Sequence, residues 1–214
     1  AYGTNDGKVG LFDVLKDKNV PFPNTNTGAV RHVEFRNDNT VYACNEAGDL
    51  LEFVLSGAVF RAMQSTGTVG MNVTVFNARS KLASNLVADQ ILEKNECLTS
   101  FSWKCNVNTL IASPDSVQLD VLAVGYRDGT ILLVSMPATE TFSSSKASDR
   151  GIVVHCQNHQ INDIRWFGHP VKLDDKNIFL FATASNDRSA RVFSCSPDPN
   201  PPLCVENIVT FVGH

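Results

Sequence analysis

The sequence has 214 residues, of which 43% are hydrophobic and 19% are charged, and its formal net charge is −4. This composition is typical of a folded protein rather than a disordered one. It offers no strongly basic surface of the kind that binds nucleic acid nonspecifically, and no apolar run approaches the roughly 18 residues of a membrane-spanning helix.

One pattern recurs along the chain: small residues, a tight turn, and then alternating apolar positions. Its four copies are residues 1–13, 41–53, 122–133 and 181–193. The turns are centred on Asp6-Gly7, Gly48, Asp128-Gly129 and Asp187. Each copy predicts two antiparallel strands, and the Asp-Gly pairs favour a two-residue hairpin turn because glycine accepts a positive φ without steric cost.

A second pattern precedes three of these copies, with large apolar residues at its first, fourth and sixth positions. It occurs at Val30–Phe35, Leu98–Trp103 and Ile161–Trp166. Strand alternation predicts that the final aromatic residue of each lies in the core. The two patterns together describe three strands of a four-stranded unit of about 40 residues, which is typical of a β-propeller blade.

The repeat predicts an all-β fold, a partial β-propeller of about three to four blades that forms an arc of a larger ring. The expected parts are outer strands at 1–13, blades at 20–53, 57–136 and 151–195, and the first strand of a further blade at 205–214. Residues 152–155 and 208–211 are interpreted as innermost strands that open the following blade. Residues 54–96 allow two interpretations, a long connection that supplies such a strand or a degenerate blade.

The chain shows no pattern that indicates catalysis. Asp6, Asp128 and Asp187 are expected to accept hydrogen bonds within their turns, and they belong to separate blades, whereas catalytic carboxylates converge. There is no nucleophile motif, phosphate-binding loop or metal-ligand spacing, so we expect neither an enzyme nor a cofactor. The six cysteines lack C-x-x-C spacing, which favours reduced thiols over zinc ligands or disulfides.

These residues resemble the WD-repeat family, in the turns Asp6-Gly7 and Asp128-Gly129, the tryptophans of the second pattern, and Gly213-His214. The resemblance implies that His159 and His214 are structural residues of their blades, oriented by an aspartate of a turn. It also implies that the chain acts by binding, and the commonest use of such propellers is as a scaffold for other proteins.

Longer stretches are similar to the large double-propeller Gemin proteins of the SMN complex: Gly3–Asp13, Ser102–Lys104 and Gln157–Trp166. This resemblance implies an RNA-binding module that recognises small nuclear RNA during spliceosomal snRNP assembly. It further implies partner proteins within a multi-subunit complex, in the cytoplasm and nucleus. Glu93 stands where that family has an aromatic residue that stacks on the RNA cap, so cap recognition does not carry over to this chain.

RNA contacts are expected at the strand entrances that would face the propeller channel, and in the loops nearby. The strand-entrance residues are Arg31, Thr99 and Asn162, and the loop residues are Arg36, Lys104, Phe167 and Lys172. Because the net charge is negative, we expect a local contact rather than strong nonspecific binding. A protein–protein scaffold that uses the same loops is the alternative, since the fold alone does not choose between them.

Overall fold

The computed structural model describes residues 1–14, 16–22, 28–55, 73–77, 98–107, 118–143, 151–155, 157–173, 176–197 and 203–213. Its regular secondary structure is β-strand throughout these residues, which confirms the predicted all-β class. Within the described ranges, no helix is long and apolar enough to cross a membrane. The chain divides into two compact units, Ala1–Leu82 with Phe142–Ser144, and Ala83–Thr141 with Ser145–His214.

The first unit contains two antiparallel sheets. Sheet A has the strand order β1-β2-β3, with β1 at Tyr2–Gly3, β2 at Val9–Asp13 and β3 at Lys18–Pro21. Sheet B has the order β4-β5-β6-β7, with β4 at Val30–Asn37, β5 at Thr40–Asn45, β6 at Leu50–Leu55 and β7 at Val73–Asn77. Each strand therefore pairs with its neighbour in the chain.

The second unit also contains two antiparallel sheets. Sheet C has the order β8-β9-β10-β11, with β8 at Leu98–Val107, β9 at Leu119–Tyr126, β10 at Thr130–Pro137 and β11 at Gly151–His155. Sheet D has the order β12-β14-β15-β16, with β12 at Ile161–Trp166, β14 at Lys176–Ser185, β15 at Ser189–Pro197 and β16 at Leu203–Val212. The short strand β13, Val171–Leu173, pairs with the other end of β14.

The strand pairing corrects the predicted blade boundaries at four strands. β3 pairs with β2, so residues 18–21 complete sheet A and the blade expected at 20–53 begins later than predicted. β11 pairs with β10 and β16 pairs with β15, so residues 152–155 and 208–211 close their own sheets instead of opening the next. Likewise β7 pairs with β6, so this part of residues 54–96 completes sheet B. Pairing with the preceding strand needs only a simple antiparallel connection, which the sequence pattern did not distinguish from a step to the next sheet. Residues 56–72 and 78–97 lie outside the described residues.

The four recurrent turns share one geometry, which differs from the predicted two-residue hairpin. They are Thr4–Gly7, Asn45–Gly48, Tyr126–Gly129 and Ser185–Arg188, and in each the fourth N–H donates to the first carbonyl at 3.1–3.3 Å. The fourth residue has a positive φ in every copy, 64° at Arg188 and 79–90° at the three glycines, whereas Asp6 and Asp128 do not. A two-residue turn of type I′ needs positive φ at both central residues, so the prediction is wrong. Glycine serves instead as the left-handed residue that follows the turn.

Glycine also lets successive sheets approach each other within each unit. A Cβ atom on Gly3 would lie 2.3 Å from Val30 Cγ1, and one on Gly125 would lie 2.6 Å from Ile161 Cγ2. Both glycines directly precede a recurrent turn, and both contacted residues begin the first strand of the next sheet. The same sheet-to-sheet contact is thus built twice, and a larger residue would force the sheets apart.

Two of the three aromatic residues predicted to lie in the core do so. Trp103 is buried, and Trp166 is half-buried against Phe181 with ring centroids 4.9 Å apart. Phe35 is 43% exposed, so the prediction is wrong for this residue, and the next residue along the strand, Arg36, is buried instead. The pairing of β4 with β5 is irregular between Phe35 and Asn37, which breaks the alternation that the prediction assumed.

Candidate functional site

In the second unit, two of the recurrent turns are joined into one hydrogen-bonded edge of the structure. The turns Tyr126–Gly129 and Ser185–Arg188 are connected by the segment Gln157–Gln160, and with Asn162 they form what we call the turn edge. The Gln157 N–H donates to the Gly129 carbonyl at 3.3 Å, and Ser185 Oγ donates to the His159 carbonyl at 2.9 Å. These bonds fix the two turns relative to each other.

The aspartates of this edge have the predicted structural role. Asp187 Oδ1 accepts from the N–H and the hydroxyl of Ser189, and Oδ2 accepts from the Asn158 N–H at 3.4 Å. Asp128 accepts in the same way from the N–H and hydroxyl of Thr130, at 2.8 and 2.7 Å. Burial alone would raise the pKa of Asp187, but the hydrogen bonds from Ser189, Asn158 and Ser185 hold it below its usual value.

In the first unit, Asp6 plays the equivalent part in the turn Thr4–Gly7. Its carboxylate accepts from the Thr4 hydroxyl and pairs with Lys8 Nζ at 2.5 Å. These two hydrogen bonds, with Lys8 the stronger influence, lower the pKa of Asp6. All three turn aspartates are therefore accounted for by local bonds.

The structure does not give His159 the role that the family resemblance implied. Its side chain is exposed, and it contacts the turn through its carbonyl oxygen. The Asp187 oxygen that would orient the imidazole accepts instead from the backbone N–H of Asn158. The implied role for His159 is wrong for this reason, and His214 lies outside the described residues.

The turn edge presents a group of exposed polar side chains. Its exposed members are Arg127, Asp128, Asn158, His159, Asn162, Asn186 and Arg188. Asn162 Nδ2 donates to Asn186 Oδ1 at 2.7 Å, which links the start of β12 to the turn. Arg127, Asn186 and Arg188 were absent from the sequence-based set. Their position beside the turn aspartates was the signal that could have found them, because turn tips are exposed.

Of the residues predicted at strand entrances, only Asn162 lies exposed on the turn edge. Thr99 is half-buried, and its Oγ1 lies 3.0 Å from the Gly125 carbonyl oxygen and 2.5 Å from that of Ile161, where it ties sheet C to sheet D. Arg31 is exposed in the first unit, at the start of β4, with its guanidinium 3.8 Å from Glu46. Thr99 therefore has a structural position.

Two of the predicted loop cations are buried strand residues. Arg36 ends the regular part of β4 and lies beside Tyr42. Lys104 is 8% exposed, and its Nζ donates to the Phe167 carbonyl at 3.0 Å and the Gly168 carbonyl at 2.7 Å. Burial lowers the pKa of Lys104. The prediction that these two are loop residues able to reach RNA is wrong, because their strands continue past the aromatic position that was taken as the end.

The other two predicted residues are exposed, but Phe167 follows the end of β12 that lies away from Asn162, and Lys172 lies on β13, which pairs with the start of β14. Five residues separate Asn162 from Phe167, which is about 16 Å along an extended strand. The predicted set therefore does not form a single site. Among the described residues there is also no cluster of three or more His, Cys, Asp or Glu side chains that could hold a metal ion.

No protein-family model matches this sequence, and no curated protein is significantly similar to it. The class of protein is therefore defined by its own fold and surface. It is an all-β protein of repeated antiparallel sheets, and in its second unit the turns of two sheets form a polar, hydrogen-bonded edge.

Proposed function

We propose that this chain is part of a WD-type β-propeller that acts by binding, and that its turn edge binds single-stranded RNA of the small nuclear class during snRNP assembly. The repeated order of first strand, turn and sheet-to-sheet contact supports the propeller. The RNA ligand is supported by the resemblance to the Gemin proteins and by the chemistry of the turn edge. The work of such a module falls in the cytoplasm and nucleus.

The observation that carries the RNA proposal is the placement of two exposed arginines on one fixed surface. Arg127 and Arg188 occupy the tips of two turns that Gln157–Gln160 holds together. A guanidinium donates to phosphate through two parallel hydrogen bonds, so such a pair can position an RNA backbone.

Three further side chains of the edge suit the bases of a single strand. The amides of Asn162 and Asn186 donate and accept, as base edges require, and the exposed imidazole of His159 offers a face for stacking. The carboxylates of Asp128 and Asp187 lie on the same edge, and their negative charge repels a generic polyanion. The balance favours a selective, salt-sensitive contact over nonspecific binding.

The test is a salt titration of binding to a uridine-rich single-stranded RNA, with the chain and its Arg127→Ala/Arg188→Gly variant. Glycine is chosen at position 188 because it fits the positive φ there, as in the three equivalent turns. Loss of two phosphate contacts should raise the dissociation constant about tenfold and reduce the slope of log K against log salt by about 1.4.

Lys172→Ala is the matched control, because Lys172 is an exposed cation on β13, away from the turn edge. Its affinity and salt slope should equal those of the unchanged chain. Equal affinity for uridine-rich RNA and for heparin, or an unchanged slope in the double-arginine variant, would contradict RNA recognition by this edge and favour the protein-scaffold alternative.

A further inference from the structure

One face of sheet D is apolar, and in the described part of the second unit no other sheet covers it. Strand register places Ala182, Val192 and Val209 side by side on this face, with Ala184, Ala190 and Phe211 in the adjacent row. Phe211 is 54% exposed and Val209 is 39% exposed. The opposite face of the sheet carries Phe181 and Phe193 in the core shared with sheet C.

Sheet C has an equivalent face, and sheet D covers it. When the turn Asp128-Gly129 is aligned with Asp187-Arg188, the matching rows of sheet C are Ala123, Leu133 and Ile152, and Gly125, Ile131 and Val154. These residues belong to the core that contains Ile161 and Ile164 of β12. Gly125 meets both of these isoleucines directly.

Sheet A repeats the arrangement in the first unit. Gly3 pairs with Val9 in one row, and Leu11 pairs with Val20 in the next, which are the positions of Gly125 with Ile131 and of Leu133 with Ile152. This face packs on sheet B, whose β4 presents Val30 and Val33 to it. In both units, the same face thus receives a first strand with two aliphatic residues three positions apart.

A groove of about 280 Å³ adjoins the uncovered face and is lined by Arg165–Phe167, Leu180–Ala182 and Val192. At the equivalent place on sheet C, the backbone of β8 receives a tryptophan from the next sheet. The Trp166 indole N–H donates to the Ser102 carbonyl at 3.1 Å, and Ser102 corresponds in the repeat to Arg165. The groove therefore has the position of an indole site.

We infer that the uncovered face docks a further antiparallel sheet of this same repeat. Its first strand would carry two aliphatic residues three positions apart, and then, two residues later, a tryptophan. The two aliphatic side chains pack against Ala184 and its row, and the indole enters the groove and donates to the Arg165 carbonyl. The inference rests on the propeller part of the proposed function, it is argued from strand register and the groove, and it does not depend on RNA binding.

A second copy of this chain is a poorer occupant than a further sheet. The first strands β4 and β12 already pack on sheets A and C, and the corresponding residues of β8, Leu98 and Phe101, are buried, so none of the three strands is available to dock on another copy. Only a sheet whose first strand is still uncovered offers the required residues. The proposed occupant is therefore an additional repeat unit.

The test supplies that unit by appending a second copy of residues 159–214 directly after His214. The Gly213 N–H donates to the Arg188 carbonyl just as the Gln157 N–H donates to the Gly129 carbonyl, both at 3.3 Å. Joining residue 159 after His214 therefore reproduces the number of residues that leads from sheet C into sheet D. The readout is the alkylation rate of a cysteine placed by Phe211→Cys in the original copy, followed by peptide mass spectrometry.

In the Phe211→Cys variant of the original copy, we expect the new cysteine to be alkylated at least tenfold more slowly when the extra copy is present. Thr210→Cys is the matched control, because Thr210 is exposed on the other face of the same strand, and its alkylation should not change. Changing the appended copy's tryptophan by Trp166→Ala should restore most of the reactivity at position 211.

Resistance of the appended copy to trypsin reports whether it has folded. A folded appended copy that leaves position 211 as reactive as before overturns the inference. So does an appended copy that stays protease-sensitive, since docking on sheet D is what should fold it. Concentration-dependent protection of position 211 in the chain without the extra copy overturns it as well, because a second copy would then be the occupant.

Discussion

Each unit contains a buried charged side chain that is hydrogen-bonded to the backbone of a segment far away in sequence, and the two side chains have opposite charge. In the first unit, the Glu52 carboxylate is 0% exposed and accepts from the N–H groups of Phe142 and Ser143 at 2.8 and 2.9 Å. In the second, the Lys104 ammonium donates to the carbonyls of Phe167 and Gly168. The two residues perform the same task with donor and acceptor exchanged.

The two sites differ in their access to water. Glu52 also accepts from the Tyr42 hydroxyl, and burial together with the Glu52 charge raises the pKa of Tyr42 strongly. Of the three partners of Glu52, Tyr42 and Phe142 are fully buried and only Ser143 is exposed. Both partners of Lys104, Phe167 and Gly168, are exposed, so water can replace the ammonium there. The difference teaches that removing a buried charge costs more stability when its hydrogen-bond partners are buried too, because water cannot then replace the lost bonds.

The largest effect is expected for Glu52→Ala. It would leave the N–H of the buried Phe142 and the hydroxyl of the buried Tyr42 without this acceptor, whereas the exposed Ser143 can bond to water. The free energy of unfolding should fall by about 3 kcal/mol, measured by chemical denaturation.

Glu46→Ala is the control for this change, because Glu46 is an exposed glutamate whose ion pair with Arg31 spans 3.8 Å. Its free energy of unfolding should change by less than about 0.5 kcal/mol. Equal effects of the two substitutions would show that Glu52 does not hold the segment at Phe142 and Ser143.

A smaller effect is expected for Lys104→Met, which keeps an unbranched apolar side chain and removes the ammonium, whose Nζ lies 5.6 Å from the centroid of the Phe179 ring. The free energy of unfolding should fall by about 1 kcal/mol, since the exposed partner carbonyl can be solvated. Lys172→Met is the matched exposed control and should leave the stability unchanged. A loss as large as that of Glu52→Ala would contradict the role assigned to water at Lys104.

The smallest effect at neutral pH concerns one buried thiol in each unit. Burial raises the pKa of Cys44 and that of Cys195 from the ordinary 9.0 to about 12. Folding therefore disfavours both thiolates, so the protein should lose no stability from them below pH 9 and should lose stability as the pH rises from 9 toward 12.

Alkylation with iodoacetamide at pH 8 measures the same property. Cys44 and Cys195 should remain unmodified in the folded chain, whereas both should react after denaturation. Rapid modification of one of them in the folded state would show that its unit opens locally, and would separate the two units by their stability.

The sequence predicted the repeat well, because turns and alternation depend on local chemistry. The turns at Gly7, Gly48 and Gly129 were predicted because glycine readily takes the positive φ that tight turns require, and the structure gives all three a positive φ. The sequence did not predict which sheet each short apolar strand joins. The sheet that residues 152–155 join depends on which strand edge lies nearest to them in space, and the local sequence pattern does not show this.

The candidate site was predicted only in part for the same reason. Asn162 was placed correctly at a strand entrance, and the aspartates of the turns accept the expected bonds. Lys104 and Arg36 were misassigned because the sequence does not show whether the head group of a cation meets water or is buried among protein atoms. Arg127 and Arg188 became a pair only when Gln157–Gln160 joined their turns.

The sequence by itself thus determined the all-β class, the repeated turns and the glycines that take a positive φ in them. These features are local, since backbone φ and side-chain alternation are set by each residue and its neighbours. The tertiary structure alone decided which charges are buried, which turns share an edge, and which apolar face of sheet D stays uncovered. Those outcomes depend on contacts between residues as distant as Glu52 and Phe142, and only the packed sheets bring such residues together.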